Sequence, residues 1–192
     1  MKTASKVAKR VLLPLSDNLL KELHAGDELL LTGVMYVGRD AAHKRMIETL
    51  QAGKPLPVDL KGQVIYFMGP TPAKPGKVIG SAGPTSSYRM DTYSPRLIAE
   101  GLKGMIGKGM RSAEVKEAMK RYRAVYFGAI GGAGALLARC ITAVEVCAYH
   151  DLGTEALRRI WVNEFPVTVI NDIAGGDLYD AGRVRFRVTD RK

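Results

Sequence analysis

Three stretches of this chain carry residue types that could grip an anion. GPTSSYRMD, residues 83–91, runs from a Gly-Pro turn through the hydroxyls of Thr85, Ser86 and Ser87 to Arg89. GRDAAHKR, residues 38–45, sets Arg39 where a strand would hand over to a helix. GMIGKGMRS, residues 104–112, holds Lys108 between Gly107 and Gly109. Each stretch puts a fixed cation in a loop beside a helix end, where backbone N–H groups and the helix dipole also favour negative charge. Two guanidiniums and an ammonium suit a compact dianion, because arginine takes a carboxylate through two parallel hydrogen bonds. Plainer readings stand beside these. Asp40 could cap a helix with Arg39 and His43 on the surface, Lys108 could sit in a solvated turn, and Thr85 could cap the turn that follows it.

The chemistry such a site would need is otherwise missing. His24, His43 and His150 form no HxxxH or HxxE array, and Cys140 and Cys147 have no CxxC spacing, so no metal site is expected. There is no GxSxG elbow. GAIGGAGALLA, residues 128–138, fits a dinucleotide loop poorly, with Leu137 where the third glycine belongs. Close packing of a strand on a helix explains its glycines better. The chain therefore offers anion binders and hydroxyls, without an electrophile or a strong base. It reads as half of an active site.

The elements that must position these residues alternate between short strands and helices. RVLLPL (10–15) reads as extended, and Ser16 as the cap of a short helix carrying Leu19, Leu20 and Leu23. Residues 28–38 form a strong strand. Asp40 then caps a helix through Leu50, with Ala42, Met46 and Leu50 on one face and Gly53 at its end. Strands are expected over 63–69 and 77–83, around a proline-rich loop. Ser94 before Pro95 marks a helix start, and Leu97, Ile98, Leu102, Met105 and Ile106 supply its stripe, although Gly101 and Gly104 weaken its interior. Ser112 opens another helix through Tyr122. Buried strands are expected over 124–130, 143–149 and 166–172, separated by helices starting near Gly132 and Thr154. The whole is one α/β domain, in which a purely parallel sheet is not assured.

Composition bounds the partners. The 192 residues suffice for one domain with a sizeable core. No stretch reaches the roughly 18 apolar residues of a membrane span. The first residues, MKTASKVAKRVLLPL, read as a tail entering a strand, because Pro14 breaks the apolar run and no cleavage site follows. Two cysteines are too few for a disulfide framework, which favours a reducing, cytoplasmic setting. A net charge of +10 calls for an acidic partner. The basic residues are scattered, with no long Lys/Arg run, so nucleic acid is not expected.

At these residues the sequence resembles the β subunit, or C-terminal domain, of the class I iron–sulfur hydro-lyases, which include class I fumarases and L-tartrate dehydratases. The matching stretches are GDELLLTGVMYVGRDAAHKR, VIYFMGPTPAKPGKVIGSAGPTSSYRMD, MIGKGMRS and DLGTEALRRIWVNEFPVTVINDIAG, in the expected order over nearly the whole chain. The resemblance implies a single swivelling β/β/α domain with a mixed sheet and helices. It implies an α subunit as partner, whose three cysteines hold a 4Fe-4S cluster with one iron open to substrate, and an (αβ)2 assembly. Cys140 and Cys147 do not lie in the cluster motif.

The implied reaction is reversible hydration of fumarate to L-malate, with the open iron acting as a Lewis acid on the hydroxyl. Carried over position by position, Arg39, Arg89 and Lys108 would bind the carboxylates of this C4 dicarboxylate. Thr85 would bring its hydroxyl to the reacting carbon as the base, with Ser86 beside it in the substrate-binding loop. The family commonly has two threonines after Gly-Pro, and here the second is Ser86, which keeps the hydroxyl. Threonine is a poor base in water and would need an α-subunit carboxylate to take its proton onward. An L-tartrate dehydratase β subunit remains the alternative. A non-catalytic anion-binding module is the more distant one.

Overall fold

Alternation along the central strands decides the architecture. The protein is seen in a computed structural model, which describes residues 7–187. Residues 1–6 of the expected amino-terminal tail lie outside them. Seven strands form one mixed sheet: β1 (Lys9–Leu12), β2 (Glu28–Val37), β3 (Val64–Tyr66), β4 (Gly104–Gly107), β5 (Val125–Gly128), β6 (Ile141–Ala148) and β7 (Leu157–Asn171). The first five are parallel neighbours in chain order. The long strand β7 runs antiparallel to β2 on one edge, and to β6 and then β5 on the other. The β2–β7 pairing closes β2, β3, β4, β5 and β7 into a ring. At the β2 bulge, Gly33 (φ +131°) lets the chain bend around the Leu13 backbone.

Successive side chains of the ring strands go to opposite faces. Met35, Val37, Val64, Tyr66, Ile106, Val125 and Phe127 point inward and meet Ile160, Val162 and Phe165 of β7. Tyr36, Ile65, Phe67, Met105 and Tyr126 point outward. The outward set is covered by α2 (Asp40–Gln51), α3 (Ser94–Ala99) and α4 (Ala113–Tyr122). Burial on both faces explains why these strands read as nearly continuous apolar runs. Smaller helices complete the chain: α1 (Asp17–Lys21), capped by Ser16 as its sequence suggests, α5 (Gly134–Arg139) and α6 (Leu178–Phe186).

Several expected elements differ. Residues 77–83 form no strand, because their backbone groups are spent elsewhere. Ser81 N–H donates to Thr71 Oγ1 (2.8 Å), Ser81 O accepts from Thr71 N–H (3.2 Å), and Ala82 N–H donates to Gly134 O (3.0 Å). The stripe from Leu97 to Ile106 is split: α3 ends at Ala99, Gly101 takes φ +107°, and Met105 and Ile106 belong to β4. Ser94 lies inside the first turn of α3, its hydroxyl donating to Met90 O, and Tyr93 takes the cap position. Near Thr154 there is only a 3-10 turn, His150–Glu155, and β7 starts at Leu157 because it pairs with β2 over nearly its whole length. β6 is half-exposed rather than buried. The expected reading assigned no element to α6.

Gly104 shows how tightly the parallel strands pack. A Cβ there would lie 2.7 Å from Val64 Cγ2 and 3.0 Å from Leu15 Cδ1. Gly104→Ala is therefore expected to cost about 1–3 kcal/mol by overpacking, which lowers Tm by roughly 2–4 °C per kcal/mol in a chain of this size. Gly182→Ala, in α6 with open space around it, should leave Tm unchanged or raise it. Thermal melts of the two variants check the contrast.

Candidate active site

Parallel strands end together, so the loops that follow them share one edge of the ring, as in open α/β sheets that bind ligands beyond their carboxyl ends. Arg39 follows β2, Gly69 lies just beyond β3, Lys108 follows β4 and Gly131 lies just beyond β5. Thr85, later in the same connection as Gly69, crosses these ends. Its N–H donates to Phe67 O (2.7 Å) and its carbonyl accepts from Lys108 N–H (3.2 Å). Ser87 N–H donates to Lys108 O (2.9 Å), so Ser86 and Lys108 form a parallel bridge. The glycines around Lys108 answer separate demands. A side chain at Gly107 would strike Ser87 Oγ, and Gly109 sits at φ +82°.

Arg39 and Arg89 meet on one carboxylate. Asp40 is the first residue of α2 rather than its cap, and Arg39 holds the cap position without a side-chain bond. Arg89 Nε donates to Asp40 Oδ1 at 2.8 Å, and Arg39 Nε to Oδ2 at 3.4 Å. Glu155 adds a second carboxylate: Oε1 pairs with Arg39 Nη2 at 3.1 Å, and Oε2 accepts from Ala41 N–H at 3.0 Å. Arg39 lies across Gly69, where a Cβ would come within 2.8 Å of its Nη1. Lys108 is exposed, forms no ion pair among the described residues, and reaches over Gly131. The structure thus joins Arg39 to Arg89 by side chains, and Thr85, Ser86 and Lys108 by backbone.

The three consecutive hydroxyls separate into two kinds. Ser87 is buried, and its Oγ bonds the Tyr126 hydroxyl at 2.8 Å. Thr85 and Ser86 are half-exposed. Ser86 precedes the 3-10 turn Ser87–Met90 without capping it through its side chain. The Thr85 hydroxyl takes no hydrogen-bond partner among the described residues, so the capping reading of Thr85 finds no bond to rest on.

Beneath the loops lies a buried charge that the sequence reading missed. Arg111 donates from Nε to Asp91 Oδ1 (2.7 Å) and from Nη2 to Ser94 Oγ (2.7 Å). Its guanidinium stacks over Phe67 and Tyr126 at 5.3 and 5.0 Å from the ring centroids. Burial draws its pKa down, and Asp91 pushes it back up. The other Asp91 oxygen accepts from Ser112 N–H at 2.6 Å, ahead of α4. Asp91 closes GPTSSYRMD and Arg111 is next to last in GMIGKGMRS, and an acid and a base near the ends of these two loops was the signal available.

His43 is also buried, contrary to the surface reading. A carbonyl can only accept, so its Nδ1–H donates to Arg39 O at 2.9 Å, and its bare Nε2 has no partner among the described residues. Burial pulls the His43 pKa down to about 4. The bond to Arg39 opposes the shift, nearby Arg111 adds to it, and Asp40 counters it. The imidazole is neutral and fixes the backbone of Arg39.

Among the described residues no donor set for a metal cluster accompanies this arrangement. Cys140 follows α5 and Cys147 lies in β6, both free, with burial raising both thiols. Among the described residues no three His, Cys, Asp or Glu side chains are grouped to hold an ion. Two thiols cannot supply the three thiolate ligands expected of a cluster with one open iron.

Comparison with known proteins bears on the whole chain. A family model described as Fumarase C-terminus matches residues 2–182. The chain is similar to fumarate hydratase 1, mitochondrial, of Leishmania major, with 42% identity over 79% of this chain and 28% of that protein. It is similar to the anaerobic class I fumarate hydratase of Escherichia coli strain K12, with 40% identity over 83% of this chain and 30% of that protein. A putative L(+)-tartrate dehydratase subunit beta of Methanocaldococcus jannaschii is 36% identical over 84% of this chain and 86% of its own length. The chain thus spans less than a third of the two fumarate hydratases.

The buried imidazole makes stability depend on pH. Unfolded, His43 takes a proton near pH 6.5, whereas folded it resists until about pH 4. Its contribution is therefore complete above pH 6.5 and is lost as pH falls toward 4, by about 3 kcal/mol. His43→Asn keeps a donor for Arg39 O but cannot titrate. Urea melts should show a flatter fall for the variant across this window, and parallel curves would contradict the assignment.

Proposed function

The chain belongs to the fumarase C-terminus family, and from that premise we propose that it is the substrate-gripping β subunit of an iron–sulfur hydro-lyase hydrating fumarate to L-malate. The observation that supports the reading is that Arg39 and Arg89 share Asp40, and Thr85 and Lys108 are joined by backbone, in loops beyond the carboxyl ends of the parallel strands. In the proposed complex the 4Fe-4S cluster belongs to an α subunit, in keeping with the donor set of this chain. The swivelling motion, the (αβ)2 assembly and the cytoplasmic setting are parts of the same proposal. Among the described residues no helix is long and apolar enough to cross a membrane.

Within that complex the arginines and Lys108 hold the two carboxylates of the C4 substrate. When a proton leaves carbon, charge spreads onto the adjoining carboxylate, and a cation already seated there stabilises it without reorganisation. Thr85 presents a hydroxyl with no partner among the described residues, from a backbone fixed at both its N–H and its carbonyl. Its role is to hold the proton in transit between the substrate carbon and a stronger base on the α subunit. Ser86 lines the same loop. The L-tartrate reading stays beside the first, because the match spans 86% of the tartrate dehydratase subunit.

Three measurements test the proposal. The chain alone should bind no iron on anaerobic reconstitution and show no hydratase activity, and a cluster with turnover on this chain would overturn the split site. The assembled αβ enzyme, offered fumarate and L-tartrate, should turn over one much better, and activity on neither would refute the class of reaction. Thr85→Ala should lose about 10²–10⁴-fold in kcat with little change in affinity, and Thr85→Ser should retain more. Normal kcat in Thr85→Ala would remove its role.

A further inference from the structure

Among the described residues Asp40 is the one side chain that bonds both arginines. It sits at the first position of α2, where the helix dipole favours a carboxylate, and it spends one oxygen on each guanidinium. Both bonds are made through Nε, at the inner edge of the guanidinium fork. A guanidinium has five N–H donors in one plane, so a partner at Nε leaves the outer pair for a second carboxylate. The terminal amino groups of Arg89 have no partner among the described residues. Arg39 keeps one of its two, the other being held by Glu155 at 3.1 Å.

A C4 dicarboxylate has a fixed reach, so cations that grip it must be held at fixed separation and angle. Arg39 and Arg89 come from loops 50 residues apart, and two long side chains would otherwise splay, both by repulsion and by rotamer freedom. We propose that Asp40 is the positioning residue that sets the spacing of the two arginines and leaves their outer N–H groups facing the substrate. The proposal rests on the dicarboxylate reading above and adds to it a residue that touches neither substrate nor reacting carbon. Glu155 supports one side only: it anchors Arg39 and the first turn of α2.

Charge and position pull in opposite directions here, which makes the proposal decidable. Removing the Asp40 charge makes the site more positive and, by charge alone, would tighten binding of a dianion. Releasing the arginines would loosen it. Most of the grip on the two carboxylates is already made in the ground state, and only the extra charge that develops later adds to it, so lost positioning should appear mainly in KM and much less in kcat.

Asp40→Asn in the assembled enzyme should therefore raise KM for the preferred substrate by roughly tenfold or more while kcat changes less than about threefold. On the full chain by itself, the Nε–Hε NMR signals of Arg39 and Arg89 should be distinct in the wild type and merge with those of solvated arginines in the variant. A KM that falls or holds, or Hε signals that persist in the variant, would overturn the proposal while leaving the hydro-lyase reading intact. A wild-type assembly inactive on both substrates would instead sink the hydro-lyase reading, and loss of the Hε signals would still support Asp40 as the holder of the arginines.

Discussion

The buried pair of Arg111 and Asp91 is the interaction on which the candidate site depends. Arg111 is fully enclosed and Asp91 nearly so. Such a pair adds little net stability, because desolvating two charges offsets most of their attraction, but losing one partner strands the other at a cost of about 3–5 kcal/mol. Its value is geometric. Asp91 ends the loop that carries Thr85 and Arg89, and Arg111 ends the loop that carries Lys108. Ser94 Oγ and Met105 Sδ take the other two nitrogens of Arg111, Ser112 N–H takes the second Asp91 oxygen, and Tyr126 links Ser87 to Gly109 beside them, so the two loops behave as one body. Tyr126 adds a bond from its hydroxyl to Gly109 O at 2.9 Å, and burial holds that hydroxyl protonated. A half-satisfied network would be worse than an apolar one, so its completeness is what makes a buried guanidinium tolerable.

Above that base, the ring sets where the cations appear. Closing β7 onto β2 leaves β2 to β5 as a parallel group whose carboxyl ends share one edge. The apolar layers on both faces hold the strands in register, and glycines at Gly69, Gly104 and Gly107 let neighbouring elements approach where any side chain would collide. Cations gathered at one edge would repel, and resident carboxylates relieve this. Asp40 and Glu155 neutralise the arginines in part, while Lys108 has no ion-pair partner among the described residues.

Much of this was legible in the sequence. β2 was visible as a long apolar run, α2 from its helical spacing and the stop at Gly53, and α4 from its opening at Ser112. The cations and hydroxyls were legible as types, because glycine, proline and hydroxyl residues beside a lone cation are unusual in a core. What could not be read was long-range pairing. β7 begins nine residues early because β2 and β6 offer edges from Leu157 onward, and a local helical spacing cannot compete. The helix expected from Ser94 onward stops at Ala99, because the stripe Leu97, Ile98, Leu102, Met105 and Ile106 fits a helix and also a helix followed by a strand. Gly101 and Gly104 hinted at the second. Asp40 was read as a cap from its position, and only the approach of Arg89, from a distant loop, reveals it as a bridge. The burial of His43 and Arg111 likewise follows from elements that meet only in the folded chain.

A crystal structure of the assembled enzyme with an unreactive C4 dicarboxylate tests the central claim most directly, that these loops form one dicarboxylate clamp. The predicted result is a single ligand with one carboxylate on the outer N–H groups of Arg39 or Arg89, the other within reach of Lys108, and the Thr85 hydroxyl facing its carbon chain. A dicarboxylate seated elsewhere, or one touched by none of these cations, would contradict it.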